Sequence, residues 1–203
     1  MNTLILVRHG HAASNAAATV NAQPPGAGLS AEGISQARAL QRALAAESVD
    51  LGVSTRLSRT QETLALALGE RSVPTMIEPL LDEIDFGSFE GGPLERYRDW
   101  AWEHDAGAAC PGAGESRADA ARRFAAGFSS LLHRPEETVL AIGHALPIRY
   151  ALDAADGAFP AARVVGVPHA TPFRLRTEQL EVAVETLRAW AEKPQFSDTP
   201  FGG

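Results

Sequence analysis

"LILVRHGHAASN", residues 4 to 15, decides how this chain is read. Four apolar residues, Leu4 to Val7, run directly into Arg8, His9, Gly10 and His11. An apolar run of that length predicts a short strand buried on both faces. Polar side chains are costly to bury unpaired. Arg8, His9 and His11 therefore either lie beside the strand at the surface or face something that needs them.

Composition narrows what that something is. The chain has 203 residues and 45% hydrophobic content, enough for one domain with a sizeable core. Its net charge of −7 argues against a nucleic-acid partner and against an anionic membrane surface. Cys110 is the single cysteine, so no internal disulfide forms and a reducing compartment is the simpler expectation. "TLILV" is far too short for a membrane span or a signal core. These features predict a soluble cytoplasmic protein; its oligomeric state is not legible.

Working outward, strands and helices alternate. Ser30 is a candidate helix cap with Glu32 in the first turn. Ile34, Ala37, Leu40 and Leu44 keep helical spacing to about Glu47. "VDLGVS" (Val49 to Ser54) reads as a strand. "LSRTQETLALALG" reads as a helix stopped at Gly69, and "VPTMIEP" as a further strand. Residues 79 to 93 are too irregular for one element. "LERYRDWAWEHD" is helical, with Tyr97, Trp100 and Ala101 on one face. Ser116 and Asp119 have capping-pair spacing at the head of "SRADAARRFAAGFSSLLHR". "TVLAI" (Thr138 to Ile142) is a strand ending at Gly143-His144, followed by a helix from near Pro147. "LEVAVETLRAWAE" mixes strand-like alternation with helical composition. The alternation predicts an α/β fold, a sheet covered by helices on both faces. Residues 193 to 203 are polar and rich in Pro and Gly, and are expected to form a loosely held tail.

Open α/β sheets bind ligands beyond the carboxyl ends of their strands. Three strand ends here deliver Arg8-His9-Gly10, Arg56 with Arg59, and Gly143-His144. Unit charges about 4 Å apart interact by about 4 kcal/mol at an effective dielectric near 20, so such a cluster implies a multiply charged guest. Phosphate fits: arginine grips it bidentately, Gly10 lets the backbone approach, and helix N-termini add N–H donors.

In order along the chain, "RHG", "RLSRTQET", "LDEIDFGSFEG" and "GHALPIR" resemble the histidine phosphatase superfamily, the phosphoglycerate-mutase-like group with its phosphatase branch. "GES" (Gly114 to Ser116) fits a fifth motif. The resemblance implies a three-layer α/β/α sandwich with a mostly parallel central sheet, formed by one catalytic domain over residues 1 to 192. It implies that His9 is the nucleophile accepting a phosphoryl group. It further implies that Arg8, Arg59 and His144 hold the phosphate and stabilise the transferring charge, that Asn15 donates a further hydrogen bond, and that Glu83 is the proton donor and then the base. Spacing alone cannot choose between Glu83 and Asp85, which share a side in extended chain. Asp82, Asp85 and burial are expected to raise the Glu83 pKa.

The expected activity is metal-independent and cofactor-free hydrolysis of a small phosphorylated metabolite through a phosphohistidine. A phosphoglycerate-mutase-type phosphotransferase and a phospho-ligand-binding module are the alternatives. His11-Ala12 departs from the family, which often has an acidic residue or glutamine followed by serine or threonine. His9 and His11, with His144, Glu83 and Asp85, also suggest a zinc site, which Arg8 and Arg59 would disfavour. Arg56 is expected at the pocket rim, Ser116 as a cap, and Glu115 as the orienter of a pocket arginine. Trp100 and Trp102 are assigned to packing or to a pocket wall, and His104, His133 and His169 to the surface. Specificity is expected from residues 16 to 29, 86 to 114 and 156 to 172.

Overall fold

The computed structural model describes residues 1–197. Its elements in chain order are β1 (Thr3–Arg8), α1 (Ala13–Ala16), α2 (Ala31–Ala43), β2 (Leu51–Ser54), α3 (Ser58–Leu68), β3 (Thr75–Ile77), α4 (Leu94–Glu103), α5 (Arg117–Leu132), β4 (Thr138–Gly143), α6 (Ala145–Ala155), β5 (Pro172–Arg176) and α7 (Thr177–Glu192). Two 3₁₀ turns, Pro79–Leu81 and Gly87–Phe89, interrupt the stretch before α4. The strands form one sheet in the order β3-β2-β4-β1-β5. All neighbours are parallel except β5, which runs antiparallel to β1.

The apolar runs explain the layering. Alternate residues of a strand point to opposite faces. Ile5 and Val7 of β1, with Leu140 and Ile142 of β4, pack against α2 and α3 through Leu40, Leu44, Leu64 and Leu68. Leu4 and Leu6, with Val139 and Ala141, belong to the larger core built by α5, α6 and α7. Phe124, Phe128, Leu131 and Trp190 fill that side and are almost fully buried. The molecule is thus a three-layer α/β/α sandwich. β1 is followed by helices on the α2–α3 face, and its neighbour β4 by α6 on the other. Chains that part in this way open a crevice at the carboxyl ends of the two strands.

Local signals act where expected. The Ser30 hydroxyl accepts from Gly33 N at 3.2 Å and the Ser116 hydroxyl from Asp119 N at 3.0 Å. Gly69 closes α3 at φ 58°, the left-handed region that glycine tolerates. α2 stops at Ala43, short of Glu47, and α6 starts at Ala145, two residues before Pro147. A proline in the first turn removes only an N–H that has no helical partner. "LEVAVETLRAWAE" lies wholly inside α7. β5 was not anticipated: it lies in "PFRLR", whose arginines interrupt any apolar run, and Arg174 pairs with Glu47 at 2.6 Å. Of the expected tail, residues 193–197 make contacts. Trp190 Nε1 donates to Gln195 O at 2.7 Å, the Phe196 ring lies 5.9 Å from that of Trp190, and Ser197 N donates to Pro160 O at 3.0 Å. Residues 198–203 lie outside the described residues.

One close approach ties α2 to the end of β1. A Cβ on Gly33 would meet His11 O at 2.0 Å, and one on Gly10 would meet Gly33 O at 2.7 Å. His11 O also accepts from Ser30 N and Ser30 Oγ, so it cannot retreat without losing both bonds. Gly33→Ala is expected to lower stability by about 2 kcal/mol. Gly166→Ala, where a Cβ meets open space, should stay within about 0.5 kcal/mol of wild type. Chemical denaturation of the two variants checks the contrast.

Candidate active site

The parallel β1–β4 register pairs Arg8 with Gly143. The next residues along are His9 and His144, and His9 N donates to Gly143 O at 3.0 Å. Their ring centroids lie 5.4 Å apart. His9 is 4% exposed, His144 is fully buried, and Arg59, from the first turn of α3, is 4% exposed.

The bonds fix the state of each ring. Arg59 Nε lies 3.1 Å from His9 Nε2 and can only donate. Nε2 is therefore an acceptor, and the proton sits on Nδ1, 2.7 Å from Gly10 O. Arg59 Nη2 approaches His144 Nδ1 at 3.4 Å, and His144 Nε2 then donates to Thr55 Oγ1 at 2.9 Å. Thr55 Oγ1 continues to Thr60 Oγ1 at 2.9 Å, which donates to Leu57 O at 2.8 Å. Burial, and then the Arg59 charge, hold both imidazoles well below the usual histidine range, so both are neutral at ordinary pH.

Arg8 donates through Nη1 to Val167 O at 2.7 Å, while its Nε is buried with no hydrogen-bond partner among the described residues. Buried polar groups without partners are rare. This one stands beside an open cavity of about 250 Å³ whose lining includes Arg8, His9, Asn15, Arg59 and Glu83. Glu83 is partly buried, and Oε1 accepts from Ile84 N at 3.0 Å. Burial raises its pKa above the ordinary carboxylate value; the Ile84 N–H and then the Arg59 and Arg8 charges act in the opposite direction. Asp82 does not supply this push, because Arg56 N and Nε bind its two oxygens at 2.9 and 2.5 Å. Arg56 is thus held in an ion pair.

Glu115 holds Arg123 through two bonds, at 2.7 and 2.6 Å. Arg123 in turn donates to Leu80 O, Asp82 O and Glu83 O. The carboxylate thereby fixes the backbone that carries Glu83. Asp85 Oδ1 accepts from Gly87 N at 2.9 Å, and the residue is absent from the cavity that holds His9.

Not every sequence-predicted residue reaches this cavity. Gly10 packs against Gly33 and its N–H goes to Thr63 Oγ1 at 3.0 Å; its smallness serves the approach of α2. His144 stands behind Arg59, outside the cavity lining, which at that strand end consists of Ala145 and Leu146 of the α6 N-terminus. Asn15 does line it, with Oδ1 accepting from Ala12 N at 2.9 Å, which leaves the amide N–H₂ as its donor. The His11 ring turns to Ser30 Oγ at 2.9 Å and stands 3.8 Å from Glu32. Among the described residues, no group of three or more His, Cys, Asp or Glu is placed to hold a metal ion.

His169, expected at the surface, belongs to the site. Its Nδ1 donates to His9 O at 2.8 Å, and its ring centroid lies 5.5 Å from those of both His9 and His11. Nothing local marks it, since its partner is 160 residues away. His104 and His133 are exposed. All three expected loop regions contribute lining residues, among them Val20, Tyr97 and Val164, and Trp102 stands at the wall.

Comparison with known proteins gives the same frame. The profile of the histidine phosphatase superfamily (branch 1) matches residues 4–189. Adenosylcobalamin/alpha-ribazole phosphatase of Escherichia coli strain K12 is 29% identical over 189 residues, spanning 87% of this chain and 85% of that one. The alpha-ribazole phosphatase structure from Shigella flexneri superposes with a TM-score of 0.70 at 27% identity, covering 85% of this chain and 89% of that one. Mycobacterial glucosyl-3-phosphoglycerate phosphatase, in complex with VO3, superposes with a TM-score of 0.73 at 25% identity, covering 86% and 92%. No helix among the described residues is long and apolar enough to cross a membrane. With its two histidines at adjacent parallel strand ends and a profile match over nearly its whole length, the chain belongs to branch 1 of the histidine phosphatase superfamily.

Proposed function

We propose that the protein is a phosphomonoesterase that hydrolyses a small phosphorylated metabolite through a phosphohistidine on His9. The observation that carries this reading is the bond from Arg59 Nε to His9 Nε2. It holds a neutral imidazole with its lone pair on the nitrogen beside the cavity, which is the form a nucleophile needs.

On binding, the phosphate takes the donors of Arg59 in exchange for His9 Nε2, Asn21 and His144, and takes the partnerless Arg8 Nε. His9 Nε2 attacks phosphorus as the bond to the leaving oxygen breaks. The Glu83 carboxyl proton passes to that oxygen and the alcohol departs. The positive charge of the phosphorylated ring is met by the Nδ1–H bond to Gly10 O. Water then attacks phosphorus and loses its proton to the Glu83 carboxylate. The N–P bond breaks, its electron pair returns to Nε2, and inorganic phosphate leaves. Phosphoryl transfer depends mainly on positioning and charge neutralisation, which the guanidinium groups of Arg8 and Arg59 supply. The protein is assigned to the cytoplasm on its lone buried thiol.

His9→Ala is expected to reduce turnover of p-nitrophenyl phosphate by about a thousandfold or more and to remove an acid-labile phosphoenzyme trapped from wild type. EDTA should leave the wild-type rate unchanged. Wild-type turnover in His9→Ala would overturn the assignment.

Glu83 must begin protonated, and its pKa is raised. Therefore kcat/KM for an alkyl phosphate should fall as pH rises through that pKa, above the ordinary carboxylate value. His9 and His144 stay neutral well into the acid range, so no acid limb is expected near pH 6.5. Glu83→Gln should abolish the alkaline fall and slow alkyl esters by about a hundredfold, while p-nitrophenyl phosphate, whose oxygen leaves without a proton, loses far less. Rate–pH profiles on the two esters check both.

A further inference from the structure

The cavity carries more positive charge than one phosphate consumes. Five guanidinium groups line it, those of Arg8, Arg59, Arg98, Arg117 and Arg163, against the single carboxylate of Glu83. The whole chain carries −7, so the excess is local. Arg8 and Arg59 stand at the His9 end. Arg117 spends its donors on Tyr150 Oη, Ala161 O and Ala162 O. Two cations are left over. Among the described residues neither Arg98 nor Arg163 has a carboxylate partner.

These two are placed together. Arg98 and Trp102 are four residues apart on α4 and so share a helix face. The Arg163 guanidinium lies over the Trp102 ring, 4.8 Å from its centroid. Trp102 is 46% exposed, so an indole at the cavity wall stays open to solvent. Arg98 is also close enough for its charge to help lower the Arg8 pKa, after the larger effect of burial. The backbone around Arg163 is fixed on both sides: Arg117 and Ser197 hold residues 160 to 162, and Arg8 holds Val167 O. The same cavity lining carries the apolar side chains of Ile84, Phe86, Leu94, Tyr97 and Leu146.

We infer that Arg98 and Arg163 form a second anion subsite, and that the substrate is a phosphomonoester with a carboxylate or second phosphate group across an apolar body. This rests on the phosphomonoesterase reading of the His9 site. Both arginines are exposed, so each contributes modestly, about fivefold in selectivity.

The test uses the full chain with three esters: phenyl phosphate, 4-carboxymethylphenyl phosphate and 4-phosphonomethylphenyl phosphate. The methylene keeps the added anion from altering the phenol as a leaving group. The ratio of kcat/KM for an anionic ester to that for phenyl phosphate should exceed about fivefold at low salt and shrink as salt rises. It should fall toward one in Arg98→Gln and Arg163→Gln and recover in part in Arg98→Lys and Arg163→Lys. Whichever anionic ester gains more identifies carboxylate or phosphate as the natural group. A ratio of one in wild type, or the same ratio in both glutamine variants, overturns the subsite. If no ester is hydrolysed, the phosphomonoesterase reading fails. Calorimetric binding of the same three compounds then decides the subsite alone: tighter binding of the anionic esters that the glutamine variants abolish supports it, and equal binding overturns it.

Discussion

Residues 8 and 143 face each other across the β1–β4 ladder, and the geometry of the site follows from that pairing. One step further along two parallel strands, His9 and His144 emerge side by side. A slip of one residue would turn every side chain of β1 to the other face. The core prevents it. Ile5 and Val7 are buried against α2 and α3, and Leu4 and Leu6 against the α5–α7 side. Each apolar side chain contributes about 1.5 to 3 kcal/mol on full burial, so a slipped register forfeits more than any polar contact at the strand end could return.

Given that frame, the electrostatic problem is how to keep two imidazoles and two guanidiniums together with no anion present. The imidazoles stay neutral, and each accepts from Arg59 while its other nitrogen donates to a fixed oxygen. Arg59 thus satisfies its donors on two nitrogen lone pairs and the Asn21 amide oxygen in place of an anion. Arg8 has no such substitute for Nε. An oxyanion would relieve both, since it accepts from both guanidiniums at once and frees the His9 lone pair. The partly buried Glu83 completes the balance: desolvation favours its neutral form, and a neutral carboxyl can lie near an incoming dianion without repelling it.

The fold and the convergence of His9, Arg59 and His144 are legible in the sequence because their signals are local. Short apolar runs ending in Arg-His-Gly and Gly-His mark strand ends within five or six residues, and the helices carry caps such as Ser30 and Ser116. What escaped depended on distant partners. β5 is an edge strand with arginines in it, recognisable only by its pairing to β1. His169 looks like any loop histidine until its Nδ1 is seen on His9 O. By sequence Asp82 is a neighbour able to act on Glu83, but Arg56 claims it from 26 residues away. Gly10 reads in the sequence as room for a ligand, and the room is taken by Gly33. Residue types reveal which groups are chemically able; only the tertiary contacts show which of them are already spent.

The two ends of the cavity differ in how they are built, and Arg8 joins them. The His9 end rests on strand termini locked by the core, while the rest of the lining comes from the chain after α1, from α4 with the turns before it, and from the chain between α6 and β5. Those segments are nonetheless tied down. Glu90 accepts from Ala22 N and Gln23 N, pinning the first to the second, and Arg117 grips the carbonyls of Ala161 and Ala162 in the third. Arg8 sends Nη1 to Val167 O in that third segment and keeps Nε beside His9. A displacement of the 160–167 segment would therefore pull on the Arg8 guanidinium. One guanidinium thus touches both the end of β1 and the backbone of the third segment, and its placement depends on both.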